Sequence, residues 1–135
     1  MNDRNTLPDD QQTRDSYPLA SGCLDYFPNA LAEVARLSYE ATKQHHPGDP
    51  MHWDRSKSCG HRDKIMRHLI DSGKFDDKHQ RHSTMVAWRA LALLQEELEA
   101  DMNLPISRAS TKGTPNVTES SGNGIAICTQ DIQKN

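Results

Sequence analysis

All seven histidines of the chain fall between His45 and His82, and carboxylates run through the same stretch. Neutral imidazole is a common transition-metal ligand. Carboxylate oxygens suit hard cations such as magnesium. No His-Glu-x-x-His zinc motif is present, and no histidine is followed by aspartate, as one class of phosphohydrolases requires. Glu33 and Glu40 stand two helical turns apart on one face. Asp71 lies one turn after His68, and Asp63 one turn before Arg67. Such carboxylates can cage cations that shield a triphosphate and lower the pKa of an attacking water. The same spacings also serve ordinary structure. Glu33, Arg36, Glu40 and Lys43 are placed for ion pairs along a wet helix face. His61, His68 and Asp71 border an apolar face and can partner one another.

Phosphate chemistry also needs cations. Lys43, Arg55, Lys57 and Arg67 are candidates to hold phosphates. Trp53 offers a flat face on which a purine can stack, or a ring that pins its loop to the core. Arg89 sits within an apolar run and calls for a carboxylate or a phosphate, a carboxylate from a neighbouring helix being the simpler partner.

Three helical patterns position these groups. The first runs from Pro28, which suits an opening turn, to His45, where Pro47-Gly48 stops it. Leu31, Val34, Leu37, Ser38 and Ala41 form its inner face. The second spans about Gly60 to Ser72, with Ser58 as candidate cap and Gly73 just past its end. Ile65, Met66, Leu69 and Ile70 form its apolar face; His61, Lys64, His68 and Asp71 line an adjoining one. The third spans about His82 to Asp101. From Thr84 to Leu94 it is apolar nearly all round, with Arg89 the exception, which predicts burial on all sides. Three helices cannot supply that, so association into a larger bundle is expected. The connection from Pro47 to Lys57, with His52, Trp53, Asp54, Arg55 and Lys57, is unusually rich in aromatic and charged groups.

Composition frames the rest. Hydrophobic residues make up only 34% of the 135 residues, with mean hydropathy -0.86. That is thin for a compact monomer and points to flexible tails and shared cores. Residues 1–18 read as a flexible arm, 19–103 as the helical domain and 104–135 as a flexible tail. Within the tail, the strip Ile125 to Cys128 could pair with a strand edge or be a chance cluster. Net charge is -3 at a pI of about 6.1, so no broad positive field for a nucleic-acid polymer exists. Cys23, Cys59 and Cys128 are scattered, which argues against a disulfide framework or structural zinc. With no signal-like or membrane-length apolar run, a cytoplasmic setting is the expectation.

An ordered set of segments resembles a known family. It opens with Ser21-Gly22-Cys23-Leu24-Asp25-Tyr26-Phe27-Pro28-Asn29-Ala30-Leu31, followed by Gln44-His45-His46-Pro47-Gly48 and His52-Trp53-Asp54-Arg55-Ser56-Lys57-Ser58. Next is Arg67-His68-Leu69-Ile70-Asp71. It closes with Arg81-His82-Ser83 and Val86-Ala87-Trp88-Arg89-Ala90-Leu91-Ala92-Leu93-Leu94. Together, over about residues 19–100, these resemble the phage dATP/dGTP diphosphohydrolase family. That family is MazG-like and includes the MazZ type, which serves phages that replace adenine with 2-aminoadenine.

The resemblance implies an all-α MazG-like helical bundle completed by oligomerisation, as a dimer or tetramer. The implied reaction takes dGTP or dATP to its monophosphate and pyrophosphate, with magnesium or manganese. MazG-like proteins carry two glutamates and a third one turn on in the first helix, then Glu-x-x-Asp in the second. Here Glu33 retains one carboxylate, Arg36 stands where another would fall, and His68-Leu69-Ile70-Asp71 takes the place of Glu-x-x-Asp. The implied catalytic pair is Glu33 and Asp71. The metal set is Glu33, Asp63, His68 and Asp71, with Glu40 in reserve. Lys57 and Arg67, with Lys43, would bind phosphates, and Trp53 the base. Two other classes stay open: a triphosphohydrolase releasing whole triphosphate, and a non-enzymatic helical oligomer that binds nucleotide or protein.

Overall fold

The structure is a computed structural model. It describes residues 7–111, together with the backbone of the strands Val117–Glu119 and Ala126–Cys128. The rest of the expected arm and tail lies outside the described residues. The fold is mostly helical. In chain order it comprises α1 (Gln11–Arg14), a π-turn (Ala20–Leu24), α2 (Pro28–His45), β1 (Trp53–Asp54), a 3-10 turn (Arg55–Lys57), α3 (His61–Ile70) and α4 (His82–Asp101). Three short strands follow: β2 (Ser110–Thr111), β3 (Val117–Glu119) and β4 (Ala126–Cys128). Among the described residues, no helix is long and apolar enough to cross a membrane.

The helix ends follow local chemistry. Pro28 opens α2, and Lys43 and His45 fall in its last turn, where cations complement the helix dipole. Ser58 does not cap α3. Gly60 does, in a left-handed conformation (φ 66°) that glycine adopts without steric cost. Asp63 in the first turn of α3 and Arg67 and His68 in the last suit its dipole. Past α4, Asn103 turns left-handed (φ 50°) and lets the Leu104 N–H donate back to Glu99 O at 2.9 Å.

α4 is the central helix, packed on α3 and on α2. Trp88 Nε1 donates to Ser38 Oγ at 2.9 Å, tying α4 to the inner face of α2. The face that α3 presents inward is the polar one. His61 is buried and Lys64, Ile65 and His68 are half-buried, while Met66, Leu69 and Ile70 are exposed, Ile70 at 79%. α4 likewise leaves Leu91 and Leu94 about half exposed. The expected burial of α4 on all sides is therefore not met within one chain, because two neighbouring helices cover only part of its circumference. Among the described residues, Ala92 is the one buried hydrophobic side chain; Thr42, His61, Thr84 and Glu99 are the buried polar ones.

The strongest polar connection joins α4 to the loop after α2. The Arg55 guanidinium grips Glu99 through both carboxylate oxygens, at 2.8 and 3.0 Å. Glu99 also accepts from Gln95 Nε2 at 2.7 Å and from the Ser107 N–H at 3.2 Å. Arg55 reaches Ser110 Oγ through Nε at 3.0 Å. Around this pair β1 and β2 run parallel, Trp53 beside Ser110 and Asp54 beside Thr111. The chain thus stays attached to the helical unit through Thr111, beyond the expected tail boundary. Further on, β3 and β4 pair antiparallel, so the backbone of Ala126–Cys128, within the strip singled out from the sequence, enters a strand pair. Cys23 is a free, exposed thiol, but Cys59 is disulfide-bonded, which corrects the expectation drawn from the scatter of the cysteines: spacing in sequence does not tell which sulfurs the fold brings together.

Burial disfavours charge on Glu99. The hydrogen bonds from Arg55 and Gln95, the Arg55 charge and the Ser107 N–H outweigh it, holding the carboxyl below its ordinary 4.5. A depressed folded pKa stabilises above the unfolded value, and that stability is lost as pH falls through the folded one. Glu99→Ala should cost about 3 kcal/mol by leaving Arg55 half-buried without its carboxylate, and should flatten the loss of stability below pH 4.5. Urea denaturation of both proteins across acid pH checks this.

Candidate functional site

Three polar clusters stand out among the described residues. The first is a cleft of about 430 Å³, walled on one side by Glu33, Arg36 and Glu40 of α2 and on the other by Phe75, Lys78, His79, Gln80 and Arg81. Its second wall is a tight excursion between α3 and α4. The Asp76 carboxylate accepts from the N–H groups of Lys78 and Gln80, at 2.9 and 2.8 Å, and Asp76 N donates to Gln80 O at 2.8 Å. His79 stands at φ 60°, a left-handed conformation that histidine adopts more often than most residues with a side chain. Its ring stacks on Phe75 at 4.6 Å, and the Arg81 guanidinium lies 4.5 Å from the same ring. The cleft is thus lined by two carboxylates and several cationic groups. Arg36 and Glu40 make an exposed pair at 3.7 Å.

The second cluster stands where α3 ends and α4 begins. His68 Nδ1 lies 3.0 Å from His82 Nδ1, so one imidazole donates and the other accepts. Burial, reinforced by His82, Arg89 and Arg67, pushes the His68 pKa below 6.5, against a weaker pull from Asp76. Asp71 bonds Lys74 Nζ at 3.1 Å. That bond and the Lys74 charge, with smaller help from His82 and His68, hold its carboxyl below 3.8. Asp71 also begins the excursion that walls the cleft.

The third cluster lies in the loop after α2. His46 Nε2 is 3.5 Å from Asp54 Oδ2, and the His46 and His52 rings stand 4.6 Å apart. His52 Nδ1 lies 2.9 Å from Pro50 O. Hydrogen bonds from Ser56, against burial and with help from Lys57 and His46, hold the Asp54 carboxyl below 3.8. Among the described residues, His46, Asp49 and His52 are the group whose ligand atoms all come within 4.8 Å of one another.

The residues singled out from the sequence divide among these places. Glu33 and Glu40 share the cleft. His68 and Asp71 share the second cluster. Asp63 and Arg67 line a shallow depression of about 400 Å³ with Met66 and Ile70 on the outer face of α3. Lys43 and Lys57 are exposed, Lys43 in the last turn of α2 and Lys57 in the 3-10 turn. Trp53 is engaged within the protein: the Arg55 guanidinium lies 3.9 Å from its ring centre, and it packs T-shaped against Trp88. Arg89 Nη1 approaches His61 Nδ1 at 3.4 Å. His61 Nε2 in turn lies 3.3 Å from Glu96 Oε2, close enough for attraction but outside hydrogen-bond geometry.

Lys78, His79, Arg81 and His82 escaped the sequence reading as site residues. Their signal was the polar run between the second and third helices, which periodicity passes over. Comparison with known families, with curated proteins and with solved structures finds no match to this chain.

A histidine with a depressed folded pKa stabilises while neutral, above 6.5, and loses that contribution as pH falls through the folded value. In NMR titrations His68 should titrate below 6.5, and in His82→Ala its midpoint should move back toward that value. An unshifted His68 in the wild type would contradict the pairing.

Proposed function

We propose that the protein hydrolyses purine deoxynucleoside triphosphates, dGTP or dATP, to the monophosphate and pyrophosphate with a divalent metal, as a MazG-like pyrophosphohydrolase of the MazZ type. The observation that carries this reading is the cleft between α2 and residues 75–81, which Glu33 and Glu40 line together with Lys78 and Arg81. A triphosphate–metal complex needs both halves of that arrangement: oxygen donors for a hard cation and positive groups for the phosphates. The resemblance of residues 19–100 to the phage diphosphohydrolases supports the same reading.

The donor set suits magnesium or manganese. Glu33 would supply carboxylate oxygen, with Glu40 beside it in the cleft; Asp71, held ionised by Lys74, lies outside the cleft lining, at the start of the segment that leads to residues 75–81. When bound, the metal shields the phosphates and lowers the pKa of the attacking water. Water adds its oxygen to the α-phosphorus, the α–β anhydride bond breaks, and pyrophosphate departs as the water's proton goes to solvent or a nearby base. Lys78, Arg81 and Arg36 neutralise the phosphate oxygens and orient the chain of phosphorus atoms. Phe75 and His79, stacked face to face, also line the cleft. Trp53 is held by Arg55 and Trp88, and Phe75 by His79 and Arg81, so the His79 ring joins Trp53 as a candidate contact for a base.

The exposed apolar faces of α3 and α4 support a dimer or tetramer. Met66, Leu69 and Ile70 together form a patch of the kind that marks an interface. Sedimentation should therefore find more than one subunit, and Ile70→Glu should reduce the assembly.

Glu33→Gln and Asp71→Asn should each lower magnesium-dependent dGTP consumption by about a hundredfold or more, while circular dichroism stays that of the wild type. Full activity in both would overturn the assignment of these carboxylates. Activity that persists in chelator would overturn the metal dependence.

A further inference from the structure

We infer that His46, Asp49 and His52 form a binding site for a zinc-like divalent transition metal, separate from the cleft. The three residues come from the end of α2 and the loop that follows it. His46 is the residue that closes α2, its N–H donating to Thr42 O at 2.8 Å. The chain then reverses through Pro47 and Gly48, the latter at φ 88°. Asp49 N donates to His46 O at 3.1 Å, so the turn brings the Asp49 carboxylate back over His46. Pro50 then directs His52 onto the same spot. The result is two imidazoles and one carboxylate, with ligand atoms that all lie within 4.8 Å of one another.

The surroundings fix the donor atoms. Pro50 O can only accept a hydrogen bond, so the His52 Nδ1 beside it carries the proton and Nε2 keeps its lone pair. His46 turns Nε2 toward the Asp54 carboxylate, which leaves Nδ1 to a ligand. The carboxylate and the backbone carbonyl that orient these rings are the usual outer partners of metal-bound histidine. Asp54 is itself fixed, because its other oxygen accepts from the Ser56 N–H at 3.0 Å. Two neutral imidazoles with the charges of Asp49 and Asp54 balance a divalent ion.

The donor chemistry selects the metal. Magnesium and calcium take oxygen ligands, whereas two nitrogens with one carboxylate suit zinc, cobalt or nickel. Zinc bonds to nitrogen at about 2.0–2.1 Å in tetrahedral sites, so the donors close on the ion by small ring rotations and water completes the fourth position. Binding would clip the loop that carries Trp53 and Arg55 to the end of α2.

The test uses the full chain, stripped with chelator and titrated with zinc by calorimetry and with cobalt by visible absorption. The expected result is one site per chain, a tetrahedral cobalt spectrum without a thiolate band, and a melting temperature several degrees higher with zinc. His46→Ala/His52→Ala should lose the cobalt spectrum and the thermal shift while keeping its helical dichroism. His68→Ala/His82→Ala should keep both signals. Absence of zinc binding in the wild type, an unchanged isotherm in His46→Ala/His52→Ala, loss of the signal in His68→Ala/His82→Ala instead, or a thiolate band would each overturn the assignment.

Discussion

The two-pronged contact between Arg55 and Glu99 is the constraint on which the rest of the structure depends. A buried carboxylate is costly unless it is fully paired, and Glu99 answers that cost with Arg55, Gln95 and the Ser107 N–H. Each partner lies on a different stretch of chain. The contact therefore fixes α4, the loop after α2 and the segment after α4 in one arrangement. Arg55 in turn lies over Trp53, and Trp53 against Trp88, whose indole N–H holds Ser38 of α2. Aromatic packing and this ion pair thus do much of the joining that a larger apolar core does in other small domains.

That economy has a counterpart on the outside. With the inward face of α3 given to His61, Lys64 and His68, its apolar residues point away from the chain. Polar groups face α4 because they meet polar partners there: His61 meets Arg89 and Glu96, and His68 meets His82. The apolar side of α3 and the uncovered part of α4 then form the surface that association would bury.

Periodicity and stop signals made the helices legible. Pro28, Pro47-Gly48, Gly73 and the long run from His82 to Asp101 marked boundaries that the structure keeps within two residues. The cap of α3 was misread, because Ser58 looked the better side chain while a left-handed Gly60 needed none. Which face of α3 turns inward was not legible, since hydrophobicity favours one face and the partners of His61 and His68 lie on another helix. The cleft was legible in half. Glu33 and Glu40 stood out as carboxylates at helical spacing, but Lys78, His79 and Arg81 are brought opposite them by a turn that Asp76 holds together. The Arg55–Glu99 pair escaped for the same reason: its members are distant in sequence and no local pattern links them.

The proposed reaction is hydrolysis at the α–β anhydride bond in the cleft of Glu33, Glu40, Lys78 and Arg81. The most direct measurement is turnover of dGTP by the full chain with magnesium in 18O-labelled water, with products separated and weighed. The account predicts dGMP carrying one 18O atom on its phosphate, with unlabelled pyrophosphate. Deoxyguanosine with intact triphosphate, label in the pyrophosphate, or no turnover of dGTP or dATP would contradict it.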